Sequence, residues 1–243
     1  MPTIPTMKTG PILLRSALAL AFAWFAVTLS RAADAKANLS AAIQKLADEP
    51  NYSWSSAAKN EGTESNRKPP AVDGKTEKAG ITYLKSNAGE TSYEVAFKGE
   101  KIAVKLAEDW IEPSELPVDA SRLETRLRAF KTPTKEATEL LGKATDLKEE
   151  PDGAYSAKLP PDAAKAVFAT LGRRAAEAAE AAGSLKFWVR DGRLAKYEIK
   201  VQGKITVGTD KREVNISRTT TVEVKDVGTT KINLPDSAKS RLS

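Results

Sequence analysis

The stretch from Ser184 to Lys225 restricts the fold more than any other part of the sequence. Its pattern predicts three consecutive antiparallel strands, joined by reversals at Asp191-Gly192 and at Gly208-Thr209-Asp210. Asp-Gly is a preferred two-residue hairpin turn because Gly adopts a positive φ at little cost. Apolar and polar side chains alternate along these strands, and a period of two places them on opposite faces. One face is therefore predicted to be buried and the other to face water.

The residues predicted to share the buried face are Tyr197, Ile199, Val201, Ile205, Val207, Val214, Ile216, Val222 and Val224. Shorter strands are predicted over Tyr52–Ser56, Ile81–Ser86, Thr91–Lys98, Ile102–Leu106, Leu147–Glu149 and Tyr155–Leu159, with a last one over Thr230–Leu234. Helices are predicted from Asn38, a favoured N-cap, after Asp119, and from Pro133 and Pro161. Arg173–Ala182 is rich in Ala and Glu, and its helix propensity predicts a solvated helical extension.

Helices that interrupt a meander of antiparallel strands are typical of the α+β class. Long strands must also twist and coil strongly, which curves the sheet that they form. The sequence therefore predicts one α+β domain over residues 36–243. In this domain a curved antiparallel sheet forms an open half-barrel, and the helices pack on its concave face.

Residues 1–35 have the pattern of a secretory signal peptide. Lys8 and Arg15 precede an apolar run from Ala17 to Leu29, and small residues between Ala32 and Ala35 offer cleavage sites. The alternative is a retained anchor, but the run is shorter than the roughly 20 residues that a membrane span needs. The sequence thus predicts a periplasmic or secreted bacterial protein with no stable membrane span after cleavage.

Two absences bear on the chemistry: the chain contains no His and no Cys. This excludes the commonest general base, nucleophiles activated by His, and thiolate chemistry. Carboxylate pairs such as Glu108-Asp109 and Glu149-Glu150 point to opposite faces of a strand, because adjacent residues alternate. We therefore predict no catalytic residues, no metal site and no cofactor. The 38 basic residues against 32 acidic ones are scattered, which indicates no nucleic-acid partner.

Three segments carry a family resemblance. They are Leu-Ser-Ala-Ala-Ile-Gln-Lys-Leu followed by Tyr-Ser-Trp-Ser-Ser, then Phe-Trp-Val-Arg-Asp-Gly-Arg-Leu-Ala-Lys-Tyr-Glu-Ile-Lys, and finally Val-Gly-Thr-Thr-Lys-Ile-Asn-Leu-Pro. With these segments and the export signal, the chain resembles the LolA/LppX-like superfamily of bacterial lipoprotein carriers and related secreted bacterial proteins. The resemblance implies a half-barrel that binds lipids, acyl chains or other apolar ligands. The lipid-attachment Cys of the lipoprotein members is missing here.

Seven aromatic residues are candidates for the lining of an apolar ligand site: Tyr52, Trp54, Tyr93, Phe97, Trp110, Phe187 and Tyr197. They could equally be ordinary core, because burying an aromatic side chain is equally favourable under protein or under ligand. Trp188 is predicted on the opposite face from Phe187, stacked on basic side chains.

Two functions therefore stay open at the level of the sequence. The first is an exported protein that binds or carries a lipid or another apolar ligand in the periplasm. The second is a non-catalytic structural or protein-interaction module with a partner in the cell envelope. A dry, unfilled pocket between the sheet and the helices would favour the first.

Overall fold

The computed structural model describes residues 33–61, 69–88, 91–117, 121–171, 177–207 and 209–243. The strands of this part are β1 Asn51–Glu61, β2 Ala71–Glu77, β3 Ile81–Ala88, β4 Thr91–Lys98, β5 Lys101–Leu106, β6 Asp109–Ile111, β7 Thr145–Glu150, β8 Ala154–Leu159, β9 Ala179–Arg190, β10 Arg193–Val207 and β11 Arg212–Lys225. The helices are α1 over residues 33–48, α2 Ser121–Arg128, α3 Pro133–Lys143, α4 Pro161–Leu171 and α5 Asp236–Arg241. Short 3-10 turns lie at Pro113–Glu115 and Pro151–Gly153.

The eleven strands form one antiparallel sheet in the order β6-β5-β4-β3-β2-β1-β11-β10-β9-β8-β7. Two meanders, β1 to β6 and β7 to β11, are joined where β1 pairs with β11. The two edge strands, β6 and β7, do not pair with each other, so the sheet is not closed. The predicted α+β half-barrel is confirmed.

The hairpin between β9 and β10 forms where the sequence predicts it. Asp191 and Gly192 both have positive φ, 54° and 69°, as a two-residue turn of this type requires. Tyr197 pairs in register with Phe187 on one side and with Val222 of β11 on the other. The three-stranded prediction for Ser184 to Lys225 is therefore confirmed, although Gly208 lies outside the described residues.

Helices α1 to α4 pack on one side of the sheet, the inner face. Leu39, Ile43 and Leu46 of α1 and Phe168 of α4 join the same buried cluster as the apolar residues of β10. A smaller cluster lies on the other side, the outer face, where α5 packs against β5 and β6. The main core thus fills the space between the concave sheet and the four helices, as predicted.

Three predictions about element boundaries are wrong. Asn38 lies inside α1 rather than at its N-cap, because the apolar face continues back to Ala35, which is 1% exposed. Ala179–Ala182 belongs to β9, where pairing with β10 outweighs the helix propensity of Ala and Glu. Residues 173–176 of that segment lie outside the described residues.

The third wrong boundary concerns the C-terminal segment. Thr230–Leu234 is extended but makes no strand pairs. The Ile232 backbone N–H donates instead to the Glu77 carboxylate at 3.0 Å, and Leu234 is buried in the outer cluster. The segment therefore lies across the outer face and leads into α5.

Candidate functional site

The structure brings six of the seven predicted aromatic residues to the inner face. Five of these six are buried in the main core: Tyr52, Trp54, Phe97, Phe187 and Tyr197. Tyr93 is half-buried on the same face. Trp110 lies on the outer face in the cluster under α5, so it cannot share a site with the others.

The end of the inner face nearest the Asp191 turn is closely packed. Phe187 and Tyr197 are 0% and 1% exposed, and their ring centroids are 6.2 Å apart. α1 is fixed above this end, because Lys45 donates to the Asp191 carbonyl at 3.0 Å and Glu49 pairs with Arg193 at 2.7 Å. The aromatic residues here act as core.

A column of three aromatic rings joins α2 to the sheet. Phe130, just after α2, stacks on Phe97 at 4.7 Å between centroids and on Trp54 at 6.1 Å. The Trp54 indole N–H donates to Thr76 at 3.2 Å, and the ring lies over Gly74 of the neighbouring strand. The close approach of Trp54 to β2 is available only because Gly74 has no side chain.

The apolar side chains of the inner face are less buried toward the far ends of β1, β10 and β11. Ile205, Val214 and Ile216 point to the inner face in the same alternation as the buried Tyr197 and Val222, yet each is only half-buried. Val72 of β2 and Tyr93 of β4 are half-buried in the same way. We call the part of the inner face formed by Ile205, Val214, Ile216, Arg218 and Thr220 the open half.

Two concavities lie outside the space between the sheet and the helices. One, of about 500 Å³, is a groove between α1 and α3 and is lined by Ala33, Lys36, Ala37, Ser40, Ile43, Thr138, Leu141 and Gly142. The other, of about 400 Å³, lies at the far ends of β1, β10 and β11 and is lined by Glu61, Glu180, Gln202, Gly203, Lys204, Asn215, Ile216 and Ser217. Most of the residues that line this second concavity belong to the outer face. Ile216 of the open half also lines this second concavity.

One ionisable pair is buried where α3 crosses β10. The Tyr197 hydroxyl donates to the Glu136 carboxylate at 2.5 Å. Burial raises the pKa of Glu136, and the hydrogen bond from Tyr197 and the charge of Lys131 oppose this rise. Burial and the Glu136 carboxylate raise the pKa of Tyr197 well above its ordinary value, so the phenol stays protonated. The pair fixes α3 to the sheet.

Replacing Glu136 with Gln is expected to flatten the pH dependence of stability. Because burial raises its pKa, Glu136 holds its proton more tightly in the native state than in the unfolded chain. The free energy of unfolding is therefore highest below the ordinary pKa of about 4.3 and falls as pH rises through the native pKa. Urea titrations from pH 4 to pH 8 measure this slope.

The matched control is Glu139→Gln on the same helix. Hydrogen bonds from Lys131 and Lys143 lower the pKa of the exposed Glu139 to about 2, so it stays ionised throughout this pH range. Its substitution should leave most of the slope above pH 5 in place, because the charge of Glu139 is the smallest of the influences on the pKa of Glu136. Equal slopes for Glu136→Gln and the unsubstituted protein would contradict the burial of this carboxyl.

Trp188 lies on the outer face, as the sequence predicts. The ammonium groups of Lys186 and Lys196 lie 5.3 Å and 4.7 Å from its ring centroid. The described residues contain no group of three or more Asp, Glu, His or Cys side chains that could hold a metal ion. Among the described helices, none has the length and apolar character that crossing a membrane requires.

No family model matches the sequence, and no curated protein does. The lipoprotein LppX of Mycobacterium tuberculosis matches in structure with 14% identity over 83% of this chain and 98% of its own, at a TM-score of 0.46. LprF of Mycobacterium bovis matches with 11% identity over 83% of this chain and 96% of its own, at a TM-score of 0.44. A LolA superfamily protein of Nitrosomonas europaea matches with 12% identity over 83% of this chain and 95% of its own, at a TM-score of 0.34.

At these identities and TM-scores the likeness carries no inference about the ligand, which has to be argued from the residues of this chain.

Sequence reasoning missed several residues that shape the inner face. Phe130 follows Leu127 at helical spacing, so its place on the sheet-facing side of α2 was readable, but its stacking on two strands was not. Arg218 falls on the inner face by the same alternation that places Val222 there. The alternation was visible in the sequence, but it gave no reason to expect an arginine on the buried side.

Proposed function

We propose that the protein binds one ligand with a long apolar part, such as an acyl chain, against the open half of the inner face. We further propose that it carries this ligand in the periplasm or outside the cell. The observation that supports the proposal is the row of half-buried apolar side chains at Ile205, Val214 and Ile216. The predicted export signal and the family resemblance are consistent with it.

The energetics favour a ligand at this place rather than at the packed end. Covering apolar surface contributes about 25 cal/mol for each Å² removed from water. At the packed end Phe187 and Tyr197 have no surface left to cover, whereas the residues of the open half do. A ligand can therefore gain binding energy in the open half without displacing a helix.

Of the predicted lining residues, Tyr93 is half-buried on the inner face. Trp54 and Phe97 stack on Phe130, and Tyr52, Phe187 and Tyr197 lie beneath the helices. We place these five buried residues at the packed end rather than in the open half. We leave Trp110 out of the proposed site.

One feature supports the alternative, a protein-interaction module. The groove between α1 and α3 has walls of small side chains, such as Ala37 and Gly142, over the buried Ile43 and Leu141. A partner side chain could enter this groove. The two functions differ in which substitutions matter, because the groove and the open half share no residue.

Substituting Ile216 with Glu is expected to weaken the binding of a fluorescent acyl probe at least about tenfold, since a charge replaces one apolar contact worth roughly 1.5–3 kcal/mol. The matched control is Asn215→Glu, which adds the same charge to an exposed outer-face position of β11. Titration of the purified protein with the probe measures both affinities, and circular dichroism checks that both variants are folded. Equal affinities for the two folded variants would contradict the site.

A further inference from the structure

We propose that Arg218 forms a binding site for the anionic head group of the ligand, a carboxylate or phosphate attached to its apolar chain. The inference rests on the proposed function for the apolar part of the ligand. The anion site itself depends on different residues and can be tested separately.

Arg218 lies where a cation is unexpected. It belongs to β11, on the inner face, and pairs in register with Val201, which is 1% exposed. Its side chain is half-buried, and its Nε atom is buried. The arginine therefore lies against the core surface of the sheet rather than among the charged residues of the outer face.

No protein group compensates this charge within the described part of the chain. The Nε atom of Arg218 has no hydrogen-bond partner there. None of the ion pairs between described residues includes Arg218 or Arg126, although the neighbouring Arg128 pairs with Glu124 at 2.8 Å. Burying a guanidinium nitrogen without a partner is costly, and native proteins usually pair such groups.

A charge of the same sign acts on Arg218. Arg126 of α2 approaches closely enough that its charge, in addition to burial, lowers the pKa of Arg218. Two guanidinium groups on the same side of the sheet repel each other unless an anion lies between them. Arginine binds carboxylate and phosphate through two parallel N–H···O bonds.

The surroundings of Arg218 fit an amphipathic ligand. Asn60 lies directly opposite on β1, and Thr220 is the next residue on the same face, so both supply further hydrogen-bond donors. Ile216 is the preceding residue on that face, about 7 Å away along the strand. A ligand whose anionic group contacts Arg218 can thus extend its apolar chain over the open half.

The test compares three ligands with the same C16 chain: hexadecyl phosphate, hexadecanoate and hexadecanol. Their affinities are measured on the purified full chain by displacement of a fluorescent acyl probe. The variants are Arg218→Gln and, as the matched control, Arg190→Gln, which removes an exposed arginine at the end of β9. Inorganic phosphate is tested separately by its effect on the melting temperature.

The unsubstituted protein is expected to bind at least one of the two anionic ligands about ten- to a hundredfold more tightly than hexadecanol. Arg218→Gln should remove this preference and leave the affinity for hexadecanol unchanged, while Arg190→Gln should keep it. The ratio of the phosphate to the carboxylate affinity then identifies the head group. Equal affinities for all three ligands, or a preference that survives Arg218→Gln, would overturn the anion site.

The remaining outcomes separate the two proposals. If none of the C16 ligands binds but inorganic phosphate raises the melting temperature of the unsubstituted protein and not of Arg218→Gln, the anion site is supported and the acyl ligand is excluded. If neither the C16 ligands nor phosphate has an effect, both proposals are overturned.

Discussion

Replacing Val95 with Asp is expected to leave no folded protein. Val95 is 0% exposed and lies in the middle of β4, where it pairs in register with Leu84 and Val104 on the inner face. A carboxylate there would be buried among apolar side chains without a partner, at a cost of several kcal/mol in addition to the lost apolar burial. This is comparable with the roughly 5–15 kcal/mol that stabilises a typical domain.

Circular dichroism during thermal denaturation measures this effect, and Ile199→Asp in β10 should behave in the same way, because Ile199 is 4% exposed. Ser92→Asp is the control on β4, since Ser92 is exposed on the outer face. It should melt close to the unsubstituted protein. A cooperative transition of Val95→Asp at the same temperature would mean that the inner face is assigned wrongly.

Replacing Gly74 with Ala is expected to destabilise the protein by about 3 kcal/mol. A Cβ atom at this position would lie 2.1 Å from Cε2 and 2.2 Å from Cζ2 of the Trp54 ring. The ring would have to leave β2, and its hydrogen bond to Thr76 and its stacking on Phe130 would be lost with it. The added methyl group would thus break the contact that joins α2 to the sheet.

Urea denaturation followed by tryptophan fluorescence measures this loss. The control is Gly142→Ala in α3, where the new Cβ would meet no heavy atom within 4 Å. Because Ala favours a helix over Gly, this control should gain about 0.5–1 kcal/mol. If Gly74→Ala were as stable as the unsubstituted protein, Trp54 would not occupy the place that the structure gives it.

The long hairpins were predictable because their signals are local. Asp191-Gly192 specifies its own turn, and strict alternation over β10 and β11 specifies which side is buried. β2 had no such signal, since Asp73-Gly74-Lys75 interrupts the apolar pattern. It forms a strand because β1 and β3 pair with it on both sides and because Trp54 fills the space over Gly74. Such tertiary compensation is not visible in a sequence.

The same distinction applies to the ends of elements. Ala179–Ala182 has high helix propensity but extends β9, because β10 offers pairing partners there. Thr230–Leu234 has the alternation of a strand but does not pair with one. The Ile232 backbone N–H donates to the Glu77 carboxylate instead, and Leu234 packs in the outer cluster. In neither segment does the secondary-structure preference of the local sequence determine the structure.

The candidate site was predictable in part. Alternation alone placed Ile205, Val214 and Ile216 on the inner face, but it could not tell that the helices cover the Tyr197 end and leave these residues half-buried. The aromatic content drew attention to Phe187 and Tyr197, which turned out to be core. Arg218 became conspicuous only when its lack of a partner was known.

The central claim, that the open half binds one apolar ligand, is tested most directly by native mass spectrometry of the purified protein in the presence of hexadecanoate. We expect a species heavier than the bare chain by one ligand molecule, and we expect this species to be lost in Ile216→Glu and kept in Asn215→Glu. The mass of the bare chain at every ligand concentration would contradict the claim.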